Sequence, residues 1–341
     1  PFTTKEEIRL SNPMERTSLS YDAISFFFSS SGTTGYPTVY PWSAYDDLVL
    51  KEVSSRCIRR VSVSSGDISL ILAPFGMPIM WYCMINQYLA AGAGVVPLGI
   101  ASSNEIIKAI NTFPITSVTT LPVIATRLFE FISKNRVTIT AKRLRHFHCG
   151  GDFLSNARRS RIENYWNVDC YDFYGLSEIF GPIAGECNAK EGLHFAVDYV
   201  IVEVIDPVTK EPVPEGEVGV AVYTTLWRKG APLLRYWSDD YISITWEKCK
   251  CGRTSPRIMY KGRAMDSVII NHKRIFVKDV EEVLLSFPEV SDEWGARLEG
   301  TMEQSIATVY IEETSYGIPR EEIENKLSKL IGIPVKLEVV P

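Results

Sequence analysis

Two groups of residues in this chain have types and spacings that do chemistry. The first is Ser29-Ser30-Ser31-Gly32-Thr33-Thr34-Gly35-Tyr36-Pro37-Thr38, which follows the short apolar run 24–28. Glycines let a ligand come close to the backbone, and hydroxyls and N–H groups donate hydrogen bonds, so the stretch suits an anion. A solvated Ser/Gly turn is the bland alternative. The second group is Cys187, His194, Cys249 and Cys251. Six residues separate Cys187 from His194, and Cys249-Lys250-Cys251-Gly252 reads as a knuckle-like turn. Three thiolates and an imidazole make a closed tetrahedral donor set for a structural Zn²⁺; buried free thiols with a hydrogen-bonded histidine are the competing reading. Cys57, Cys83, Cys149 and Cys170 sit among apolar residues and read as core. Cys149 stands directly before Gly150.

The elements that must position these groups follow from composition and pattern. The chain has 341 residues, 45% hydrophobic and 23% charged, which suits one large and one small domain with a sizeable core. Lys plus Arg number 36 and Asp plus Glu 41, a net charge of -5, which argues against a nucleic-acid partner. No apolar run reaches the roughly 18 residues of a membrane helix; the longest, 79–89, is interrupted by Asn86 and Gln87. No signal peptide is visible. Seven cysteines, an odd count, read as reduced thiols in a cytoplasmic compartment.

Strand-like and helix-like stretches alternate over the first two hundred residues. Runs at 69–73, 90–97 and 116–121 read as strands, Asn104 as a helix cap, and Pro122 as the opening of a helix through Phe131. This alternation predicts an α/β fold with buried parallel strands. From Tyr199 the runs 200–205 and 218–223, split by a Pro/Glu/Gly turn, read as an antiparallel β region. After Arg263 the spacing predicts a small α+β tail: a strand at 268–270, a helix capped by Asp279, a strand at 307–311, and a helix from Pro319 stopped by Gly332. The expected division is therefore 1–262, a large N-terminal α/β domain, and 263–341, a small mobile C-terminal α+β domain.

Further motifs follow in order: Tyr171-Asp172-Phe173-Tyr174-Gly175-Leu176-Ser177-Glu178, then Leu234-Arg235-Tyr236-Trp237-Ser238-Asp239-Asp240, then Gly262-Arg263. Together with the Ser/Gly/Thr loop they resemble the adenylate-forming superfamily of acyl-CoA synthetases, and within it the phenylacetate-CoA ligase branch, over about 29–285. The resemblance implies that Ser30, Ser31, Gly32, Thr33, Thr34 and Gly35 hold the phosphates of ATP. Gly150, Gly151 and Asp152 lie along the adenine with Tyr171, Asp172, Phe173, Tyr174 and Gly175. Ser177 sits near the α-phosphate, Glu178 ligates Mg²⁺, Asp240 accepts from both ribose hydroxyls, and Arg263 reaches the ribose or phosphates. A carboxylate is the hard ligand Mg²⁺ takes, and its two oxygens suit a diol. Thr33, Glu178 and Arg263 are the implied catalytic residues.

The implied chemistry has two steps. A carboxylate attacks the α-phosphorus of MgATP and pyrophosphate leaves; a thiol of CoA, or of a phosphopantetheine carrier protein, then takes the acyl group, with the small domain swinging in between. The acid pocket is expected among Phe75-Gly76-Met77-Pro78-Ile79-Met80-Trp81-Tyr82 and His146-Phe147-His148. Apolar and aromatic linings suit an aryl or a fatty acyl group, or are ordinary core. The zinc set is expected to pin the β region beside Glu178.

The chain also departs from that branch. Tyr36 stands where the phosphate loop has lysine, and Met265, followed by Asp266, stands at the hinge position. Asn271-His272-Lys273-Arg274 lacks the glycine expected beside the pantetheine tunnel, and no lysine fits the adenylation position near Pro341. Lys261 and Lys273 are the cations flanking the hinge. The chain reads as shortened at both ends. Two classes of function therefore stand side by side: an acid–thiol ligase, with an aryl acid as the expected substrate, and a divergent relative without full adenylation that transfers acyl groups or only binds a partner in a biosynthetic pathway. A cysteine-acylating synthetase is a third.

Overall fold

The computed structural model describes residues 1–30, 38–301, 304–313 and 317–340. In chain order the elements are α1 (Lys5–Leu10), β1 (Ile24–Ser29), β2 (Val39–Ser43), α2 (Ala44–Arg59), β3 (Ile68–Ile71), α3 (Met80–Ala91), β4 (Gly94–Pro97), α4 (Ser103–Thr112), β5 (Ser117–Thr120), α5 (Pro122–Asn135), β6 (His146–Gly150), α6 (Asn156–Trp166), β7 (Asp169–Leu176), β8 (Gly181–Gly185) and β9 (Leu193–Phe195). They continue as β10 (Val200–Ile205), β11 (Gly219–Thr225), β12 (Tyr236–Thr245), β13 (Arg257–Arg263), β14 (Ser267–Ile270), β15 (Lys273–Phe276), α7 (Val277–Leu284), β16 (Val290–Thr301), β17 (Gln304–Glu313), α8 (Arg320–Ile331) and β18 (Val335–Val340).

Among the described residues, eleven strands form one sheet in the order β10-β11-β12-β13-β9-β8-β7-β6-β5-β3-β4. Within this sheet β3 to β7 pair in parallel, and the pairings among β7 to β13 are antiparallel. The parallel half is buried on both faces, as the period of two requires. Leu70, Val118, Phe147 and Cys170 pack on one side against Ile107 and Ile110 of α4, Leu128 of α5 and Ile162 of α6. Ile71, Tyr171 and Phe173 pack on the other against Ile58 of α2 and Met84 and Tyr88 of α3. The α/β expectation, with an antiparallel extension, is therefore met.

Local chemistry explains the helix ends. Ser43 and Asp46 form a capping box on α2, and the buried Asp46 also accepts from the N–H groups of Lys229 and Gly230 (2.7 and 2.9 Å), tying α2 to the loop before β12. The cap of α4 is Ser102, boxed with Glu105; the expected cap Asn104 lies inside the helix. Asp279 is likewise within α7, reaching back to the Phe276 N–H (3.3 Å). Residues 90 and 91, expected in a strand, end α3, and β4 starts at Gly94.

Beyond Arg263 the chain forms the hairpin β14–β15 and, among the described residues, a three-stranded sheet of β16, β17 and β18 against α7 and α8. These elements have their own apolar cluster, including Ile275, Leu284, Val309, Ile323, Leu327 and Leu337. Strands β16 and β18 were not expected from the sequence. In β16, Asp292, Glu293, Arg297 and Glu299 break the apolar run that a strand signal needs.

Candidate active site

The phosphate-loop residues Ser31, Gly32, Thr33, Thr34 and Gly35, with Tyr36, lie outside the described residues. Their stem is described. Ser30 is buried, its N–H donates to Thr38 O (2.9 Å), and its Oγ accepts from the Thr38 N–H (3.1 Å), closing the β1–β2 hairpin.

The other expected nucleotide residues converge on the ends of β6 and β7. Parallel pairing sets Cys149 beside Asp172 and Gly150 beside Phe173. Gly151 has φ +85° and sits so close to Met80 and Leu121 that a Cβ would lie 2.9 and 3.0 Å from their side chains. Gly175 is tighter still: a Cβ would lie 1.9 Å from the Gly181 carbonyl oxygen, so only glycine lets β7 turn into β8 here. Asp152 accepts from the Phe153 N–H (2.8 Å). Asp172 is buried, and burial together with the nearby Glu186 carboxylate pushes its carboxyl well above the ordinary range, while Lys278 and Arg159 oppose this.

Past Leu176 the chain turns through Ser177 and Glu178. Glu178 is 4% exposed, and the Lys5 ammonium of α1 reaches its Oε1 at 3.3 Å. Arg228 donates to the Glu178 carbonyl oxygen (2.8 Å) and stacks on Trp42 (4.4 Å). Asp240, on β12, is 1% exposed. Its Oδ2 accepts from the Tyr174 hydroxyl (2.6 Å), which also meets Tyr223 (3.0 Å). Its Oδ1 lies 3.3 Å from Arg263 Nε but makes no hydrogen bond, leaving one buried acceptor for a ligand. Burial pushes the Asp240 carboxyl up to about 6, against the pull of Arg263. Asp239 takes the turn conformation, with φ +61°, so the two neighbouring aspartates divide the roles of turn and buried acceptor.

Sequence reasoning missed Lys5 and Arg228. Lys5 is 173 residues from Glu178 in the chain and nothing in its spacing relates the two; folding does so through the Thr3–Tyr236 bridge and the Thr3 N–H to Arg235 O bond (3.0 Å). Lys273 is engaged elsewhere, donating to Leu330 O near the end of α8 (3.0 Å). Lys278 donates to Tyr260 O (3.2 Å), and the Tyr260 ring stacks on Tyr174 (5.3 Å between centroids).

The expected acid-pocket residues separate. Phe75 and Trp81 meet edge to face, the Trp81 indole N–H donates to Gly76 O (2.7 Å), and Tyr82 donates to Asp47 (2.7 Å). His148 is buried and bonds the Tyr88 hydroxyl through Nδ1; burial pulls its imidazole down to about 3, so it is neutral. Phe147 points to the opposite face of the sheet, toward α4, α5 and α6, and cannot line the same cavity as His148. Cys149 and Cys170 form a buried pair, Sγ to Sγ 3.7 Å.

The four expected zinc ligands do come together. The ligand atoms of Cys187, His194, Cys249 and Cys251 all lie within 4.8 Å of one another. Cys187 and Cys249 Sγ are 3.7 Å apart, and Cys251 Sγ is 3.3 Å from His194 Nε2. His194 Nδ1 faces Ser255 Oγ (2.9 Å), which leaves Nε2 as the donor toward the thiols. Burial, with Arg60 nearby, pulls His194 down to about 4, the neutral state a metal needs. Gly252, φ +88°, closes the knuckle by its N–H to Cys249 O bond (2.9 Å). This cluster is not beside Glu178. Leu176 pairs Gly181 at one end of the β7–β8 ladder and Phe173 pairs Gly185 further along, so Cys187 leaves from the far end, about 20 Å away at strand rise.

Residues 2–227 match the family model of the AMP-binding enzyme, and the chain belongs to that family. Phenylacetate-coenzyme A ligase from Thermus thermophilus is 30% identical, over 100% of this chain and 82% of the relative. The enzyme of the same description from Aromatoleum evansii is 27% identical, over 99% of this chain and 79% of the relative. Among solved structures, 2-hydroxyisobutyryl-CoA ligase in the postadenylation state with 2-HIB-AMP matches with a TM-score of 0.90 at 21% identity, covering 100% of this chain and 76% of that one. The same ligase with 2-HIB-AMP and CoA in the thioesterification state matches at 0.72, with the same identity and coverage. No helix among the described residues is long and apolar enough to cross a membrane.

Proposed function

We propose that this protein activates a carboxylic acid, an aryl acid by preference, as an acyl-adenylate and transfers the acyl group to the thiol of CoA. The observation that carries the reading is the buried Tyr174–Asp240 pair with Arg263 3.3 Å from an Asp240 oxygen that makes no hydrogen bond. Asp240 accepts from the ribose hydroxyls, and Asp172, Phe173, Tyr174, Gly150, Gly151 and Asp152 enclose the adenine. The loop 30–35, Ser177 and Arg263 meet the phosphates. The curated relatives' description as phenylacetate-coenzyme A ligases supports CoA over a carrier protein and an aryl over an alkyl acid.

In the first step a carboxylate oxygen attacks the α-phosphorus, the bond to the β-phosphate bridge breaks, and pyrophosphate carries off the electron pair. In the second the thiol sulfur attacks the acyl carbon, its proton passes to solvent, and AMP leaves. Mg²⁺, held by Glu178, would neutralise phosphate charge during the first step. The buried Glu178 carboxylate fits a hard cation, and the Lys5 ammonium lies 3.3 Å from its Oε1. Lys5 is a cation beside the proposed Mg²⁺ ligand, which supports the ligase reading over a relative that has lost adenylation. The fit of Cys187, His194, Cys249 and Cys251 to Zn²⁺ rests on their donor set and neutral histidine. Residues 1–262 and 263–341 act as two units in this reading, supported by the separate apolar cluster of the latter.

The test is pyrophosphate release from MgATP with a panel of aryl, hydroxy and alkyl acids, with and without CoA. Acid-dependent release with phenylacetate or a benzoate is expected. Absence of release with every acid, from protein that binds ATP, would leave the ligase reading without support.

A further inference from the structure

The joint between the helices of the parallel half and the C-terminal elements is built from charge. On α6 the buried residues are Arg158 and Ile162. Arg158, 5% exposed, donates through Nε and Nη2 to the two oxygens of Glu281 on α7 (3.0 and 2.7 Å) and through Nη1 to Thr126 Oγ1 on α5 (2.8 Å). Ser155 Oγ donates to Glu281 Oε1 (2.6 Å), and the Asn156 N–H to Glu282 Oε2 (2.7 Å). Two carboxylates of α7 thus meet the positive end of α6.

One turn further, Arg161 donates to the carbonyls of Leu285 (3.0 Å) and Phe287 (2.7 Å), just past α7. Asp292, at the start of β16, sets Oδ1 3.5 Å from Arg158 Nη1 and 3.4 Å from Arg161 Nη1, while its buried Oδ2 has no partner. The apolar cluster of the C-terminal elements and that beneath α4, α5 and α6 do not merge across this joint.

An apolar joint holds because parting it wets apolar surface. A buried ion-pair joint is different: the strong attraction inside is offset by the hydration the charges regain on parting, so the closed and open forms are close in free energy. Such a joint suits a hinge that must open in every cycle. The whole chain superposes on the postadenylation-state ligase at a TM-score of 0.90 and on its thioesterification state at 0.72, so this joint belongs to the former arrangement.

We propose that Arg158, Arg161, Glu281 and Asp292 are a charge latch that holds the C-terminal elements in the arrangement similar to the postadenylation state and must release before the thiol step. The reaction half of this proposal rests on the acid-activation reading; the latch itself does not.

The test uses the full-length chain with Glu281→Gln, and Arg161→Gln as a milder second variant that leaves the Arg158–Glu281 pair intact. Hydrogen exchange of the ligand-free protein is followed by mass spectrometry. Expected is a rise of about tenfold or more over 155–161 and 281–292, with no change over 320–331. No change anywhere, or an equal rise in all segments, would overturn the latch. In parallel, acid-dependent pyrophosphate release should fall while CoA thioester formation from supplied acyl-adenylate is unchanged or faster. Equal loss of both partial reactions would overturn the gating role. A wild type that makes no adenylate at all would sink the ligase reading, and the exchange result would still decide the latch.

Discussion

The two ends of the β7–β8 ladder are built on opposite plans. At the Glu178 end, charged groups are buried with their needs only partly met: Asp240 Oδ1 has no hydrogen bond, and Glu178 is met by one half-exposed lysine. At the Cys187 end, three sulfurs and a nitrogen face one another, and the histidine's other nitrogen is already bonded to Ser255. The first plan leaves a buried acceptor for a ligand to complete; the second closes on itself with no position left for substrate. In the proposed reading, the difference separates a site that reacts from one that ties the antiparallel strands β8, β9 and β13 together through a metal.

The sharpest way to break this comparison is Glu178→Ala. Loss of the proposed Mg²⁺ ligand should lower adenylate formation about 10²–10³-fold with little change in melting temperature; near-normal pyrophosphate release would remove Glu178 from the site. Lys5→Met should cost less, about tenfold, and mainly in the adenylation step, because thiol transfer from supplied acyl-adenylate needs positioning more than phosphate neutralisation. Equal losses in the two partial reactions would make Lys5 structural only.

At the other end the expected signature reverses. Chelation, or Cys249→Ser, should lower the melting temperature by roughly 5 °C or more while turnover at low temperature changes little. Metal analysis of gently purified protein should give one zinc per chain, and less than half an equivalent would count against the site. The smallest effect concerns Asp240. Its folded value of about 6 lies above its ordinary 3.8, so the native state holds that proton more tightly than the unfolded chain. Its contribution to stability is full below the ordinary value and is lost as pH rises through the folded one. Asp240→Asn should flatten the fall in stability of the nucleotide-free protein between pH 3.8 and 6, measured by urea unfolding; an unchanged slope would contradict the assignment of that carboxyl.

What the sequence made legible follows from how local each signal is. The α/β alternation could be read because each buried parallel strand is a short continuous apolar run. The motif around Tyr174 could be read because Asp172, Tyr174, Gly175 and Glu178 lie within seven consecutive residues. The four proposed zinc ligands are legible by residue type, but their place relative to Glu178 is not: β8 runs antiparallel to β7, so Cys187 moves away from Glu178 as the chain advances. His146, Phe147 and His148 are contiguous in sequence, but side chains alternate along a strand, and Phe147 lies on the other face. Lys5 and Arg158 act across 173 and 123 residues respectively. Such pairings depend on how elements pack, which no local spacing encodes.

In the proposed mechanism a carboxylate oxygen of the substrate attacks the α-phosphorus of ATP. The most direct measurement supplies phenylacetate whose carboxylate carries heavy oxygen, together with MgATP and CoA, and determines by mass spectrometry where that oxygen ends. One labelled oxygen in AMP, with pyrophosphate unlabelled, is the expected result. Label in inorganic phosphate with ADP as the second product, or no label in any nucleotide or phosphate, would contradict acyl-adenylate formation by this protein.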